Sequence, residues 1–305
     1  MFFPPALRPG DLIHVVAPSS PFDRALAWRG LGWLREHYKV QFEPDVFNTE
    51  GYLAGSDKRR INELNHAFRS PQCRAIVAIR GGYGLNRIAH RLDWGAFRSH
   101  PKWIVGFSDI TALHVETARL NIASIHGPML AMLGRAHAPT RQRWRNALED
   151  PHAPRLWSRL QPVSLGHAQG KFETKVDGFA VGGNLAMLHA CAAAGRLHLP
   201  DKAILFIEDV GERPYRVDRA LTTLVVGSHF DRVRGVILGE FCGCHPGPDG
   251  TAVHDVLASV LGALTVPVAS GFPIGHGMKN DPIHFGAKVT LSVSQRGANV
   301  ELRGP

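Results

Sequence analysis

The stretch "KWIVGFSDITALH", residues 102–114, sets an apolar, strand-like run against a helix-like one, with Gly-Phe-Ser-Asp at the turn between them. A chain that passes directly from a buried strand into a helix reads as one unit of a parallel α/β sheet. Its turn residue then lies at the sheet's C-terminal edge, where open α/β folds bind ligands. Two readings of Ser108 follow. Serine is a good helix N-cap, accepting from a free N–H of the first turn. A serine held up on such a turn is also a candidate nucleophile, because the helix start offers N–H groups and a positive dipole end to a developing oxyanion. Gly106 leaves room for a tight bend, but Ile110 stands where the G-x-S-x-G elbow of hydrolases has its second glycine. Taken alone, the turn favours the cap.

On either side the same alternation continues. "LIHVVAP" (12–18), "VQFEPDVF" (40–47) and "RAIVAI" (74–79) read as strands, and "KWIVGF" is the fourth. Between them, a helical stretch runs from Pro21 to His37, and a second helix places Ile61, Leu64 and Phe68 on one face. The short, fully apolar third strand is typical of a parallel sheet covered on both faces. This predicts a Rossmann-like, doubly wound α/β domain over residues 1–135. Residues 136–170 are rich in Pro, Arg and His without a sustained period, and read as a linker holding a short helix. Residues 171–305 read as a smaller α/β domain. It has apolar strands at 203–210 and 235–241, helices at 214–227 and 252–264, and "KVTLSVS" (288–294) alternating like a half-exposed strand.

Composition narrows the function classes. Of 305 residues, 44% are hydrophobic and 20% charged, the balance of a folded protein with ample core. No stretch approaches the roughly 20 apolar residues that cross a bilayer, and the first residues lack the pattern of a signal peptide. The expectation is a cytoplasmic protein without a membrane partner. The net charge of +9 raises nucleic acid as a partner, but arginines are scattered and no basic run or aromatic-interleaved basic stripe occurs. No nucleic-acid partner is expected. Cys242, Cys244 and His245 in "CGCH" are good zinc ligand types, yet a second ligand cluster is missing. No metal is expected.

Further chemistry gathers in two glycine-rich loops and one carboxylate. "RGGYG" (80–84) ends the third strand, lacks the register of a phosphate cradle, and can aim the N–H of Gly81 or Gly82 at the space beside Ser108. Among 17 histidines, His276 is set apart by "GFPIGHGMKND", a loop that frames it with glycines. Glu208 ends the apolar run "AILFIE", where a carboxylate needs a partner. Arg213 or Arg216 could be that partner, so a structural ion pair and a catalytic role both stand.

The segments "RGGYG", "GFSDITALH", "HGPM", "GGNLAML", "LFIEDVGERPYRVDRALTTL" and "GFPIGHGMKNDPIHFGAKVTL", in this order from about residue 10 to the C-terminus, resemble the LD-carboxypeptidase family. That family includes muramoyltetrapeptide carboxypeptidases and microcin-immunity serine peptidases. The resemblance implies a Rossmann-like domain that supplies the nucleophile and a C-terminal domain that supplies Glu and His, with the active site in the cleft between them. It implies a Ser-His-Glu triad made of Ser108, His276 and Glu208, and it turns the reading of Ser108 from cap to nucleophile. The N–H of Asp109 and of Gly81 or Gly82 would form the oxyanion hole. The implied reaction is release of the terminal D-alanine from a murein tetrapeptide during peptidoglycan recycling. It uses no cofactor, and the enzyme would be a homodimer. The alternative within the family is cleavage of an aminoacyl-nucleotide bond.

Overall fold

The computed structural model describes residues 1–166 and 173–304, which divide into two compact units. The first comprises Phe2–Pro151 with Asp281–His284. Its strands β1 (Leu12–Val16), β2 (Lys39–Gln41), β3 (Cys73–Ala78), β4 (Trp103–Gly106) and β5 (Ser124–His126) pair in parallel in the order β5-β4-β3-β1-β2. A strand from far along the chain, Ile283–Phe285, takes the edge beyond β5. Alternate residues of the strands, Ile13, Val15, Ala75, Val77, Trp103, Val105 and Ile125, build one core. Leu31 and Leu34 of the helix Arg24–Arg35 join it. The residues between, Ile76 and Ile104 among them, are buried as well, as expected of strands covered on both faces.

The described part of the expected linker, residues 136–166, is divided between the two units as a helix and a strand. The helix Ala138–Glu149 belongs to the first unit. It buries Trp144, Ala147 and Leu148 in that core, a face at i, i+3 and i+4 that the surrounding arginines obscure in the sequence. Trp144 donates its indole N–H to the Pro128 carbonyl at 2.9 Å, so the large ring is buried without an orphaned donor. After it, β6 (Arg155–Leu165) belongs to the second unit. The end of the expected linker, residues 167–170, lies outside the described residues.

The second unit comprises Met1, His152–Asn280 and Phe285–Pro305. Its strands after β6 are β7 (Glu173–Asn184), β8 (Ala203–Val210), β9 (Val233–Cys242) and β10 (Pro267–Ser270). Then follow Ile283–Phe285 (β11, in the other sheet), β12 (Lys288–Ser294) and β13 (Gly297–Arg303). They close a barrel in the order β10-β6-β13-β12-β7-β8-β9. The pairs β7·β8, β8·β9 and β9·β10 are parallel, and the pairs that β6, β12 and β13 make are antiparallel. The parallel pairs are joined by helices, Pro214–Val226 among them, and β8 is buried from Ala203 to Asp209. In β12 and β13, Val289, Leu291, Val293, Ala298, Val300 and Leu302 alternate inward, the period of a strand with one wet face. The protein is therefore a mixed α/β chain of two units.

Candidate active site

In the first unit, β4 is buried along its length and Phe107 continues it in extended backbone. Ser108 then turns at φ +64°, ahead of the helix Thr111–Arg119. A capping serine takes β-region dihedrals and accepts a helix N–H, whereas Ser108 sits in the left-handed region and makes no capping hydrogen bond. The backbone removes the cap reading. Left-handed φ at a non-glycine residue is strained by about 1–3 kcal/mol and concentrates at functional turns. Gly106 is required by space: a Cβ there would lie 2.7 Å from Ile110 Cγ1. Ile110 thus fills the place that the second glycine leaves open in the hydrolase elbow.

Neighbouring groups hold this turn from below. The Gly106 carbonyl accepts from the His114 ring at 2.9 Å, which fixes the proton on Nε2 and leaves Nδ1 to accept from the Ser124 hydroxyl at 2.8 Å. Burial pushes the His114 pKa down to about 4, so the ring stays neutral. The Asp109 side chain is buried, and its Oδ2 accepts from the Leu85 N–H at 3.0 Å, tying the turn to the glycine loop that ends at Gly84. Burial raises the Asp109 pKa, opposed by the hydrogen bond from the Leu85 N–H and by the Arg60 charge. Arg60 is itself buried, donating to the Pro18 carbonyl at 2.7 Å and pairing with Asp57.

The glycine loop approaches the serine closely. A Cβ on Gly81 would lie 3.0 Å from Ser108 Cβ, 3.2 Å from its Oγ and 3.3 Å from the Asp109 nitrogen. Gly82 has φ +107°, and a Cβ there would strike Ser20 Oγ at 2.5 Å. Ser20 in turn accepts from the Tyr83 N–H at 3.1 Å. Glycine is therefore demanded twice, once by contact with Ser108 and once by backbone conformation.

In the second unit, Glu208 lies at the buried end of β8 with no exposed surface. Its Oε2 accepts from His276 Nδ1 at 2.8 Å. A carboxylate can only accept in this bond, so Nδ1 carries the proton and Nε2 presents a lone pair. The ion-pair alternative fails. Arg213 donates to the Pro246 carbonyl at 2.9 Å, and Arg216 lies 3.5 Å from Glu212. Both glycines around His276 have steric causes. Gly275 has φ +123°, and a Cβ there would be 3.1 Å from Glu208 Oε2, while a Cβ on Gly277 would fall 1.3 Å from Glu240 Oε2.

Residues that sequence reasoning misses are those that anchor these groups. Asp209 accepts from Asn184 Nδ2 at 2.9 Å and from the Ala186 N–H at 3.0 Å, while Asn184 caps the helix Leu185–Ala193. Burial, with Glu208 as a like charge beside it, raises the Asp209 pKa to about 6. The motif partners "GGN" and "EDV" are thus physically joined, a link that only pairing of β7 with β8 supplies. Among the described residues no three His, Cys, Asp or Glu side chains gather as a metal site, and Cys242 and Cys244 are free thiols. No helix among them is long and apolar enough to cross a membrane.

Comparison with known proteins bears on both units. Residues 13–127 match the LD-carboxypeptidase N-terminal domain and residues 177–291 the LD-carboxypeptidase C-terminal domain. The murein tetrapeptide carboxypeptidase of Pseudomonas aeruginosa is 33% identical over 245 residues, 79% of either chain. The microcin C7 self-immunity protein of Escherichia coli is 25% identical over 323 aligned positions, 96% of this chain and 94% of that one. The crystal structure of muramoyltetrapeptide carboxypeptidase from Oxalobacter formigenes superposes with a TM-score of 0.84 at 24% identity, over 96% of this chain and 99% of that one, which speaks for the fold.

Proposed function

The chain belongs to the LD-carboxypeptidase family and is a serine carboxypeptidase, and from that premise we propose that it releases the terminal D-alanine of murein tetrapeptides with Ser108, His276 and Glu208 as its triad. The observation that carries the reading is the 2.8 Å bond from His276 Nδ1 to the buried Glu208, which puts the proton on Nδ1 and makes Nε2 the basic nitrogen of the ring. Ser108 Oγ attacks the carbonyl carbon of the scissile peptide bond, and His276 Nε2 takes its proton. Glu208 keeps the ring in the needed tautomer and offsets the imidazolium charge. The oxyanion accepts from the N–H of Asp109 and of Gly81 or Gly82; loss of one such donor typically lowers turnover by about 10²–10³. His276 then protonates the leaving amine of D-alanine. The bond to it breaks and leaves an acyl-enzyme on Ser108, which water, activated by the same imidazole, hydrolyses.

The absence of an aromatic-rich insertion between Asp209 and Gly239, where only Tyr215 and Phe230 are aromatic, favours a peptide over an aminoacyl nucleotide. Incubation with a murein tetrapeptide and, separately, with an aminoacyl-adenylate analogue, followed by mass spectrometry, tests this. Tripeptide and free D-alanine are expected from the first. Cleavage of the adenylate analogue alone would replace the murein reading with the nucleotide one.

A further inference from the structure

The glycine loop, residues 81–85, is held at both ends by side chains from other segments of the first unit. At its start, the Ser20 N–H donates to the Gly81 carbonyl at 3.2 Å, and Ser20 Oγ accepts from the Tyr83 N–H at 3.1 Å. At its end, the Leu85 N–H donates to Asp109 Oδ2 at 3.0 Å. Leu85 opens the short helix Leu85–Ile88, and the first N–H groups of a helix have no partner inside it. Gly84, at the capping position, has no side chain to offer. Asp109 supplies the acceptor from a different part of the chain. Leu85 and Asp109 are both buried, so an N–H left without that acceptor would carry the full cost of desolvation.

Asp109 follows Ser108 directly, in the turn Ser108–Ile110. In the reading above its own N–H is one oxyanion donor, and the other belongs to Gly81 or Gly82. The two donors therefore come from separate stretches of chain. They are packed together, since a Cβ on Gly81 would lie 3.3 Å from the Asp109 nitrogen. Oxyanion donors are effective when they are fixed in advance around one point and need not reorganise as charge develops. The Asp109 carboxylate reaches from the residue that bears one donor to the end of the loop that bears the other. Arg60 braces this link from within: it is buried, donates to the Pro18 carbonyl at 2.7 Å and places its charge near Asp109. Gly84 leaves it room, because a Cβ there would lie 2.5 Å from Arg60 Nη1. Resting on the carboxypeptidase reading above, we propose that the side chain of Asp109 is a positioning group, which sets the two oxyanion donors relative to each other by holding the end of the glycine loop. It acts on turnover and not on substrate binding.

The test uses Asp109→Ala and Asp109→Leu, which remove the acceptor, and Asp109→Asn, which keeps one. Leucine also fills the space, should the alanine variant fail to fold. Each is assayed on a murein tetrapeptide, with melting temperatures on the same preparations. Binding is measured for the tripeptide product and for the same tripeptide with a boronic acid in place of its terminal carboxyl. Its boron accepts Ser108 Oγ and puts an oxygen where the oxyanion forms. Without the acceptor, kcat should fall by about 10²–10³, the scale of one lost oxyanion donor, with KM changed by less than about threefold. Boronate binding should weaken by the same factor as kcat/KM, and product binding should not. Asp109→Asn should bring kcat back to within about tenfold of the unmodified enzyme, a neutral acceptor replacing a charged one. Unchanged kcat in a folded Ala or Leu variant would overturn the positioning role and leave the murein reading standing. So would equal weakening of boronate and product, an Asn variant as slow as the others, or failure of both Ala and Leu variants to fold. Cleavage of no tetrapeptide by the unmodified enzyme would overturn the murein reading and the positioning role with it.

Discussion

The Ser108 turn and the His276 loop both depend on glycine, but they distribute strain in opposite ways. At the serine turn Ser108, the proposed nucleophile, itself adopts the left-handed backbone, φ +64°, while Gly81 and Gly106 supply space. At the histidine loop the glycine before His276, the proposed base, takes the unusual backbone, φ +123°, and Glu208 accepts a short bond from the ring. A nucleophile has to be raised clear of its sheet, so its own backbone carries the distortion. A base has to keep its tautomer, so it needs a rigid acceptor rather than a strained one.

The largest effect that would break this contrast is on chemistry. Ser108→Ala should leave a folded protein with essentially no peptidase turnover, since no acyl-enzyme can form. More than a tenth of the original turnover would return Ser108 to a structural role. Next is Glu208→Gln, which keeps shape and removes charge. Turnover should fall by about 10⁴, as in a comparable change in a serine protease triad, with KM little altered. Near-normal turnover with a much lower melting temperature would instead make Glu208 a packing residue.

Acid titration sharpens the comparison, because the anchors of the two regions respond with opposite sign. His114, with its pKa lowered from 6.5 to about 4, contributes stability that is present above pH 6.5 and lost as pH falls toward 4. Asp209, raised from 3.8 to about 6, contributes stability that is present below pH 3.8 and lost as pH rises through 6. Each is worth about 3 kcal/mol at most. Denaturant midpoints between pH 4 and 7 should rise with pH more steeply in Asp209→Asn than in the unmodified protein. Parallel curves would contradict the assignment for Asp209. The smallest effect concerns strain alone. Ser108→Gly should be more stable than Ser108→Ala by about 1 kcal/mol, because glycine accepts left-handed φ without a Cβ clash. Equal melting temperatures would mean that the turn is relaxed.

Part of the fold and of the site is legible in the sequence. The strands β3 and β4 are plain there because they are short, apolar and bounded by turns, and the glycine frame of His276 marks that loop. The helix Ala138–Glu149 is not, because only Trp144, Ala147 and Leu148 interrupt a polar run. The barrel is hidden for another reason. Strand β6 pairs with β10 and β13, more than 100 residues later in the chain, and local periodicity carries no trace of such pairing. Likewise Ile283–Phe285 follows the second unit's strands in sequence but joins the first unit's sheet. At the candidate site, the residue types around Ser108 suit a cap as well as a nucleophile, and only the backbone angle separates them. Glu208 stands near two arginines in sequence, yet its partner is a histidine 68 residues on.

The central claim is that Ser108 is a nucleophile made reactive by His276. Treatment with a fluorophosphonate, followed by peptide mass spectrometry, reads this directly. One adduct per chain is expected, on the peptide holding Ser108, formed rapidly in the unmodified protein and not detectably in His276→Ala. An adduct on another residue, or labelling of Ser108 that is as fast in His276→Ala, would contradict the account.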